Sequence, residues 1–143
     1  MGQAALSLAS SVLGGLLVLA GQYFTRRAED RRQWRIRLHE AAADLATSYG
    51  EERARLQLDR RRGKFSSTID EKTFAVDRQR GLGRFRTLPG GSQFEPEIQR
   101  MGRSIEALWG AWDTSDDQFE ETREAASVAV MAFAEQVRKY LAE

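Results

Sequence analysis

A charge-free run at the N-terminus constrains this chain more than any other feature. None of the first 25 residues is Asp, Glu, Lys or Arg, whereas the twelve residues that follow contain six arginines. The 21 residues from Ala4 to Phe24 would form a helix of about 31 Å, which matches the hydrocarbon thickness of a bilayer. The sequence therefore predicts a transmembrane anchor over residues 1–25 and a cytoplasmic domain over residues 26–143.

The arginines after the charge-free run predict its orientation. Lys and Arg accumulate on the cytoplasmic side of membrane helices, and none precedes this span. We therefore expect a single-pass protein of the inner (plasma) membrane, with its N-terminus outside and its C-terminal domain in the cytoplasm. Such residues also attract anionic lipid headgroups. The flanking positions assigned to membrane lipid are Arg26, Arg27, Arg31 and Arg32.

A cleaved signal peptide is the main alternative to a retained anchor. The residues Val18-Leu19-Ala20 before Gly21 satisfy the small-residue pattern of a cleavage site. However, a charged N-terminal region is missing, and arginines soon after the cut would oppose export. We therefore favour the retained anchor and keep an exported helical protein as an alternative.

Small residues recur along the predicted span. Ser7, Gly14 and Gly21 are spaced seven apart, which places them along one face of a helix. Small residues let two membrane helices approach closely, so this face predicts helix packing and a homo-oligomer. Glycine and serine also occur in many monomeric spans, and the spacing leaves both interpretations open.

The rest of the chain has the period of α-helices. Apolar residues advance by threes and fours along four segments, and no segment has the alternation of a strand. The predicted apolar side of the first soluble helix consists of Trp34, Leu38, Ala41, Ala42, Leu45, Tyr49 and Leu56. That of the second, which is less regularly spaced, consists of Ile69, Phe74, Val76, Leu82 and Phe85. Short connections favour antiparallel neighbours, so we predict an all-α fold in which the transmembrane helix continues into an up-down four-helix bundle. The predicted helices cover about 26–62, 67–87, 95–112 and 115–142.

The composition narrows the chemistry available to this domain. The absence of cysteine excludes thiol catalysis, disulfides and cysteine-bound metal. The only histidine, His39, lacks a nucleophile or second partner for acid–base catalysis. The acidic group at residues 116–124 is not accompanied by the Glu-x-x-His motif of carboxylate metal sites in bundles. We therefore predict no enzyme activity, no cofactor and no metal.

The charges are divided along the chain. Residues 26–86 carry a net charge of +7 and residues 87–143 a net charge of −6. Because the two parts nearly cancel, nucleic acid is not an expected partner. We predict instead that the basic and acidic halves pack side by side. In this interpretation the basic cluster at Arg60–Arg62 ends a helix and pairs with the acidic half.

Two tryptophans form the candidate partner surface. Trp109 and Trp112 lie three residues apart on one predicted helix face. Aromatic residues often anchor protein partners, and they also fill helix-bundle cores. The sequence leaves both roles open.

Several stretches resemble a known type of protein. They are Gly14-Gly15-Leu16-Leu17, the arginine-rich region from Arg26-Arg27 through Trp34-Arg35-Ile36-Arg37, and the final helix from Phe133 to Leu141. Together they resemble uncharacterised actinobacterial membrane proteins with one N-terminal span and a cytoplasmic helical bundle. The resemblance implies topology and no particular activity.

These observations predict a non-catalytic, membrane-anchored interaction or scaffold protein. It would present its helical bundle to a protein partner at the cytoplasmic face of the membrane. The alternative is a membrane-active effector, of the phage-exclusion or holin type, that self-associates through its transmembrane helix.

Overall fold

The fold is all-helical. The computed structural model describes the backbone of residues 2–63 and 68–143 and the side chains of residues 17–63 and 72–143. This part of the chain contains no strand, and a short 3-10 helix, Gly91–Phe94, precedes the third α-helix. The predicted all-α class and helical bundle are therefore confirmed. The four α-helices are α1 (Gly2–Arg61), α2 (Thr68–Arg86), α3 (Glu95–Gly110) and α4 (Asp116–Ala142).

The chain divides into two compact units, residues 1–35 and residues 36–143. Helix α1 contributes its first part to the first unit and its second part to the second. In the first unit, large apolar side chains are 60–73% exposed, and the arginines that follow them are exposed as well. The exposed apolar side chains are Leu17, Val18, Leu19, Tyr23 and Phe24.

No helix among the described residues has a stretch both long and apolar enough to cross a bilayer. The predicted span from Ala4 to Phe24 lies mostly on residues 1–16, whose side chains are outside the described part of the chain. The transmembrane helix therefore stays a prediction.

A stripe on α1 forms one wall of the bundle core in the second unit. Its apolar residues recur at intervals of three, four and seven, so they lie on one face of the helix. The helix passes through Gly50 without ending, and Gly63, just beyond its end, has a φ of 64°. Six of the seven apolar residues predicted for this stripe are buried, and Trp34 is only half-buried. The buried ones are Leu38, Ala41, Ala42, Leu45, Tyr49 and Leu56.

An aromatic cluster joins the remaining elements. Phe85 of α2 lies 5.9 Å from Phe94 and 5.4 Å from Phe133 of α4, measured between ring centres. Tyr140 extends the cluster, with its ring 5.6 Å from that of Phe94. These tilted and edge-to-face contacts are the favoured geometry for aromatic pairs. Helix α3 adds its own buried face of Ile98, Met101, Ile105 and Leu108.

One predicted core residue of α2 faces solvent. Val76 was expected on the apolar side of this helix, but 56% of its surface is exposed. It precedes the buried Phe85 by nine residues, which places it about half a turn away around the helix. Leu82 and Phe85, three residues apart, are buried as predicted.

Two local signals set the boundaries of the last helices. The connection before α3 contains Gly90, with a φ of 81°, and Gly91, where a Cβ would clash with the carbonyl of Phe85. Ser115 caps α4, since its side-chain oxygen accepts a hydrogen bond from the backbone N–H of Gln118 at 3.3 Å. The cap matches the predicted start of this helix.

Candidate interaction site

A groove between α1, α2 and α3 is a candidate binding site of the bundle. Its volume is about 330 Å³. Small-molecule sites span roughly 300–1,000 Å³, so this groove has room for one or two side chains or a small ligand. Its lining includes Tyr49, Arg78, Leu82, Arg86, Ile98 and Arg103, together with Gly102 and Glu106.

A buried carboxylate lies behind the groove. Glu52 of α1 has no exposed surface, and its Oε1 accepts a hydrogen bond from the indole Nε1 of Trp109 at 2.6 Å. Its Oε2 lies 3.2 Å from Nε of Arg78, close enough for ionic attraction but not aligned as a hydrogen bond. Because a buried charge is costly unless it is paired, this carboxylate ties α1 to both α2 and α3.

Tyr49 closes the floor of the groove one helical turn from Glu52. Burial raises the pKa of the Tyr49 phenol, and the nearby charge of Arg78 acts in the opposite direction. The guanidinium carbon of Arg78 also lies 5.8 Å from the centre of the Tyr49 ring, within cation–π range. The phenol is therefore neutral at physiological pH, which suits packing and hydrogen bonding rather than nucleophilic attack.

The three arginines of the groove are not equivalent. Arg78 is paired with Glu52, and Arg86 binds Glu95 through two hydrogen bonds of 2.9 and 2.6 Å. The hydrogen bonds from Arg86 hold the pKa of Glu95 below its ordinary value. Within the described part of the chain, Arg103 makes no hydrogen bond or ion pair. Arg103 is therefore the cation of this groove that is available to a ligand.

Arg60 has a structural task at the end of α1. The guanidinium of Arg60 lies 4.4 Å from the ring centre of Phe119, near the start of α4, so this contact joins α1 to α4. The predicted pairing of Arg60 with the acidic half is confirmed. Its N–H groups donate to three carbonyls and one carboxylate, those of Ala111 at 3.2 Å, Trp112, Thr114 at 2.8 Å and Asp116 at 2.9 Å.

The basic and acidic halves pair only in part. Arg60 with Asp116 and Arg86 with Glu95 join the two halves, as predicted. Other ion pairs stay within the basic half, such as Arg84 with Asp44 at 3.1 Å. Beyond Asp116, no acidic residue of α4 forms an ion pair with the basic half within the described part of the chain, although the pKa of Glu120 is lowered by its hydrogen bond with Arg123 and also by the charge of Arg61. The predicted side-by-side neutralisation is therefore incomplete.

The predicted membrane-flanking residues and the small-residue face lie in the first unit. Arg26, Arg27, Arg31 and Arg32 are exposed on α1. At Gly21 a Cβ would meet no atom within 4 Å, so the helix surface is open there. Ser7 and Gly14 lie outside the residues whose side chains the structure describes. Helix packing through Ser7, Gly14 and Gly21 and lipid binding by the four arginines therefore stay predictions.

The two predicted partner-binding tryptophans are half-buried. The indole N–H of Trp109 is directed to Glu52, inside the bundle. The carbonyl of Trp112 accepts a hydrogen bond from Arg60. Both residues thus contribute to the internal network, and a role in binding a partner stays a prediction.

Sequence reasoning missed the buried acids of α1. Glu52 and Asp59 occupy positions of the α1 stripe, where they continue the spacing of Leu45, Tyr49 and Leu56. That spacing was the available signal, because an acid in line with a buried apolar stripe must find a partner. Asp59 has Arg55 at 3.1 Å, whereas the partners of Glu52 come from other helices.

No family model, curated protein or solved structure matches this chain. In the described residues, no group of three or more His, Asp or Glu side chains is arranged to hold a metal ion. The features of the molecule that bear on function are therefore the exposed apolar residues of α1, the groove and the distribution of charge.

Proposed function

We propose that this chain is a non-catalytic interaction protein whose N-terminal segment anchors a helical bundle at the cytoplasmic face of a membrane. The observation that carries the proposal is the run of exposed apolar side chains from Leu17 to Phe24, followed at once by exposed arginines. Exposed apolar surface of this kind marks a site of contact with a membrane or another protein.

The arrangement of these side chains favours lipid as the contact. Leu17, Val18 and Leu19 are consecutive, so they point about 100° apart and cover most of the helix circumference. A helix that packs on one neighbour needs only one apolar stripe, whereas a helix surrounded by lipid is apolar on all sides. Tyr23 and Phe24 then stand where aromatic residues settle at the membrane interface.

The internal use of polar side chains in the bundle supports a role in interaction rather than catalysis. Glu52 faces Trp109 and Arg78 inside the bundle, and Arg60 is occupied by backbone carbonyls. These groups position helices relative to one another. We therefore infer that the bundle presents a surface that binds a protein partner.

A membrane-active effector is the second candidate function. The open surface at Gly21 favours it, because close approach of another helix needs such a surface. Replacing Gly14 and Gly21 with leucine should then reduce self-association in a membrane reporter assay. Leakage or growth arrest on induction would favour this candidate over a scaffold.

The test of the anchor is fractionation of cells that express the full chain. We expect the protein in the membrane pellet after alkaline carbonate extraction, with an intact mass that includes residues 1–20. Leu17→Arg together with Leu19→Arg should move it to the soluble fraction, because a charge within a span costs up to about 3 kcal/mol, the value at its centre. Leu58→Arg, at an exposed leucine of the bundle, is the matched control and should leave the protein in the pellet.

Two results would overturn the proposal. One is an unmodified chain that appears in the soluble fraction. The other is a mass that lacks the first 20 residues, which would identify an exported protein.

A further inference from the structure

The exposed face of α4 has a pattern that no contact within the described part of the chain explains. Asp117, Glu121, Glu124, Val128 and Met131 follow one another at intervals of four and three, so they lie on one side of the helix. Val128 and Met131 are 60% and 68% exposed. This acidic-apolar face thus has carboxylates towards the start of α4 and large apolar side chains towards its middle.

The carboxylates of this face differ from their neighbours. Asp116 binds Arg60, and Glu120 binds Arg123. In contrast, Asp117, Glu121 and Glu124 form no hydrogen bond or ion pair in the part of the chain that the structure describes. The acidic half of the chain therefore keeps free negative charge along one line.

The groove between α1, α2 and α3 has the complementary chemistry. Arg103 supplies an available cation, Glu106 adds a carboxylate three residues further along α3, and the largely buried side chains of Leu82 and Ile98 supply apolar lining. At Gly102 a Cβ would meet no atom within 4 Å, so the surface of α3 is open at this point. No lining residue of the groove belongs to α4.

We propose that the acidic-apolar face of α4 docks in the groove of a second copy of this chain. Glu121 and Glu124 would pair with Arg103, while Val128 and Met131 would cover the apolar lining. Charge complementarity is the argument for this occupant, because the same chain supplies unpaired acids on α4 and, in the groove, an unpaired cation at Arg103. Reciprocal docking of two copies forms a two-fold dimer, the commonest closed arrangement of identical chains.

This self-association does not depend on the membrane anchor. The docking uses residues of the second unit alone, so a failed fractionation test would leave it standing. It also predicts salt sensitivity, because exposed ion pairs weaken when the Debye length falls to about 3 Å in 1 M salt.

A charge exchange tests the docking directly. The full chain, in mild detergent, is measured by sedimentation equilibrium at low salt. Arg103→Glu or Glu124→Arg alone should weaken dimerisation by about tenfold or more, and the double variant should recover most of it. Arg100→Glu and Asp113→Arg make the same changes at exposed positions outside the groove and the acidic-apolar face, and should dimerise like the unmodified chain.

A second variant fills the groove without disturbing the fold. Gly102→Leu has space within its own chain, and leucine favours a helix more than glycine does. We therefore expect a folded protein, by circular dichroism, that no longer dimerises. Gly83→Leu is the matched control, since Gly83 is also helical and open but does not line the groove.

Cross-linking locates the contact. Because the chain has no cysteine, Gln79→Cys in the groove and Ala125→Cys beside Glu124 can be mixed and treated with a short bis-maleimide, with Arg103 and Glu124 left intact. The proposal requires a cross-linked dimer in this mixture and much less in one that replaces Gln79→Cys with Arg100→Cys. It is overturned by a monomeric unmodified chain, by dimers that survive both single charge changes and Gly102→Leu, or by equal cross-linking in the two mixtures.

Discussion

The two ends of α1 use the same residue type in opposite ways. Leu17 and Leu19 are 73% and 63% exposed, whereas Leu38 and Leu45 have no exposed surface. All four belong to one continuous helix, so helical conformation alone does not decide burial. What differs is the arrangement of the neighbours. Apolar residues are consecutive near Leu17 and recur by threes and fours from Leu38 onward.

The spacing of the apolar residues decides which surroundings suit each part of α1. A stripe with the period of the helix buries its whole apolar content against one neighbour and leaves the other side polar. A consecutive run cannot do so, since a single packing face covers only part of it. The stripe therefore specifies a bundle, and the run suits an apolar medium or several neighbours.

The sharpest test of this comparison is one substitution made at both ends. Leu45→Ala should lower the free energy of unfolding by about 4 kcal/mol, because truncation of a fully buried leucine loses its transfer energy and leaves a cavity. Leu17→Ala should change it by less than about 0.5 kcal/mol. Urea unfolding of the full chain, followed by tryptophan fluorescence, measures both. Equal effects would show that the two ends are packed alike.

The next test concerns Glu52, one of the two buried acids of the α1 stripe. Glu52→Ala should cost about 3 kcal/mol, because it leaves Arg78 and the indole N–H of Trp109 without their buried partner. Glu52→Gln should cost less, since its amide oxygen still accepts from Trp109. The exposed neighbour is the control, and Glu51→Ala should lie within about 0.5 kcal/mol of the unmodified chain. A neutral Glu52→Ala would mean that the network does not stabilise the bundle.

A smaller effect is expected at the C-terminal end of α1. Arg60→Ala should destabilise the bundle by about 2 kcal/mol, because charge-assisted hydrogen bonds to several carbonyls are lost. Arg61 is adjacent, basic and exposed, so Arg61→Ala provides the matched comparison and should be nearly neutral. Thermal unfolding by circular dichroism distinguishes the two. Similar losses would contradict a specific role for Arg60.

The smallest expected effect concerns pH. The pKa of Glu95 is held below its ordinary value by its hydrogen bonds with Arg86. A depressed pKa in the folded state adds stability above the unfolded value, and this stability disappears as the pH falls through the folded value. Glu95→Gln should therefore flatten the loss of stability below about pH 4.5, by less than about 1 kcal/mol since both side chains are partly exposed. Glu97→Gln serves as the control, and an equal change there would contradict the assignment.

Much of the helical framework could be predicted from local signals. Three signals could be recognised in the sequence because each depends on residues only a few positions apart. They are the spacing of apolar residues by three and four along α1, Ser115 before α4 and Gly63 after α1. Val76 shows the limit of this reading. Its side chain is apolar, but its position around α2 is fixed by which face Leu82 and Phe85 bury.

The residues of the candidate site could be predicted only in part from the sequence. The spacing that places Glu52 in the stripe could have indicated a buried acid. It could not identify Arg78 and Trp109 as partners, because they lie 26 and 57 residues further along the chain. Similarly, the arginines of the second half of α1 and of α2 read as one basic population. The fold divides them into arginines that pair with an acid, such as Arg60 and Arg78, and arginines that form no ion pair among the described residues, such as Arg53.

The amino-acid sequence by itself determined the all-helical fold, the limits of most helices and the contrast between a consecutive apolar run and a periodic stripe. These properties follow from backbone geometry and side-chain polarity, which act over a few residues. Tertiary structure alone decided which charges are buried, which are paired and which face the groove. The physical reason is that the energy of a charge depends on its solvation and on groups that folding brings within a few ångströms.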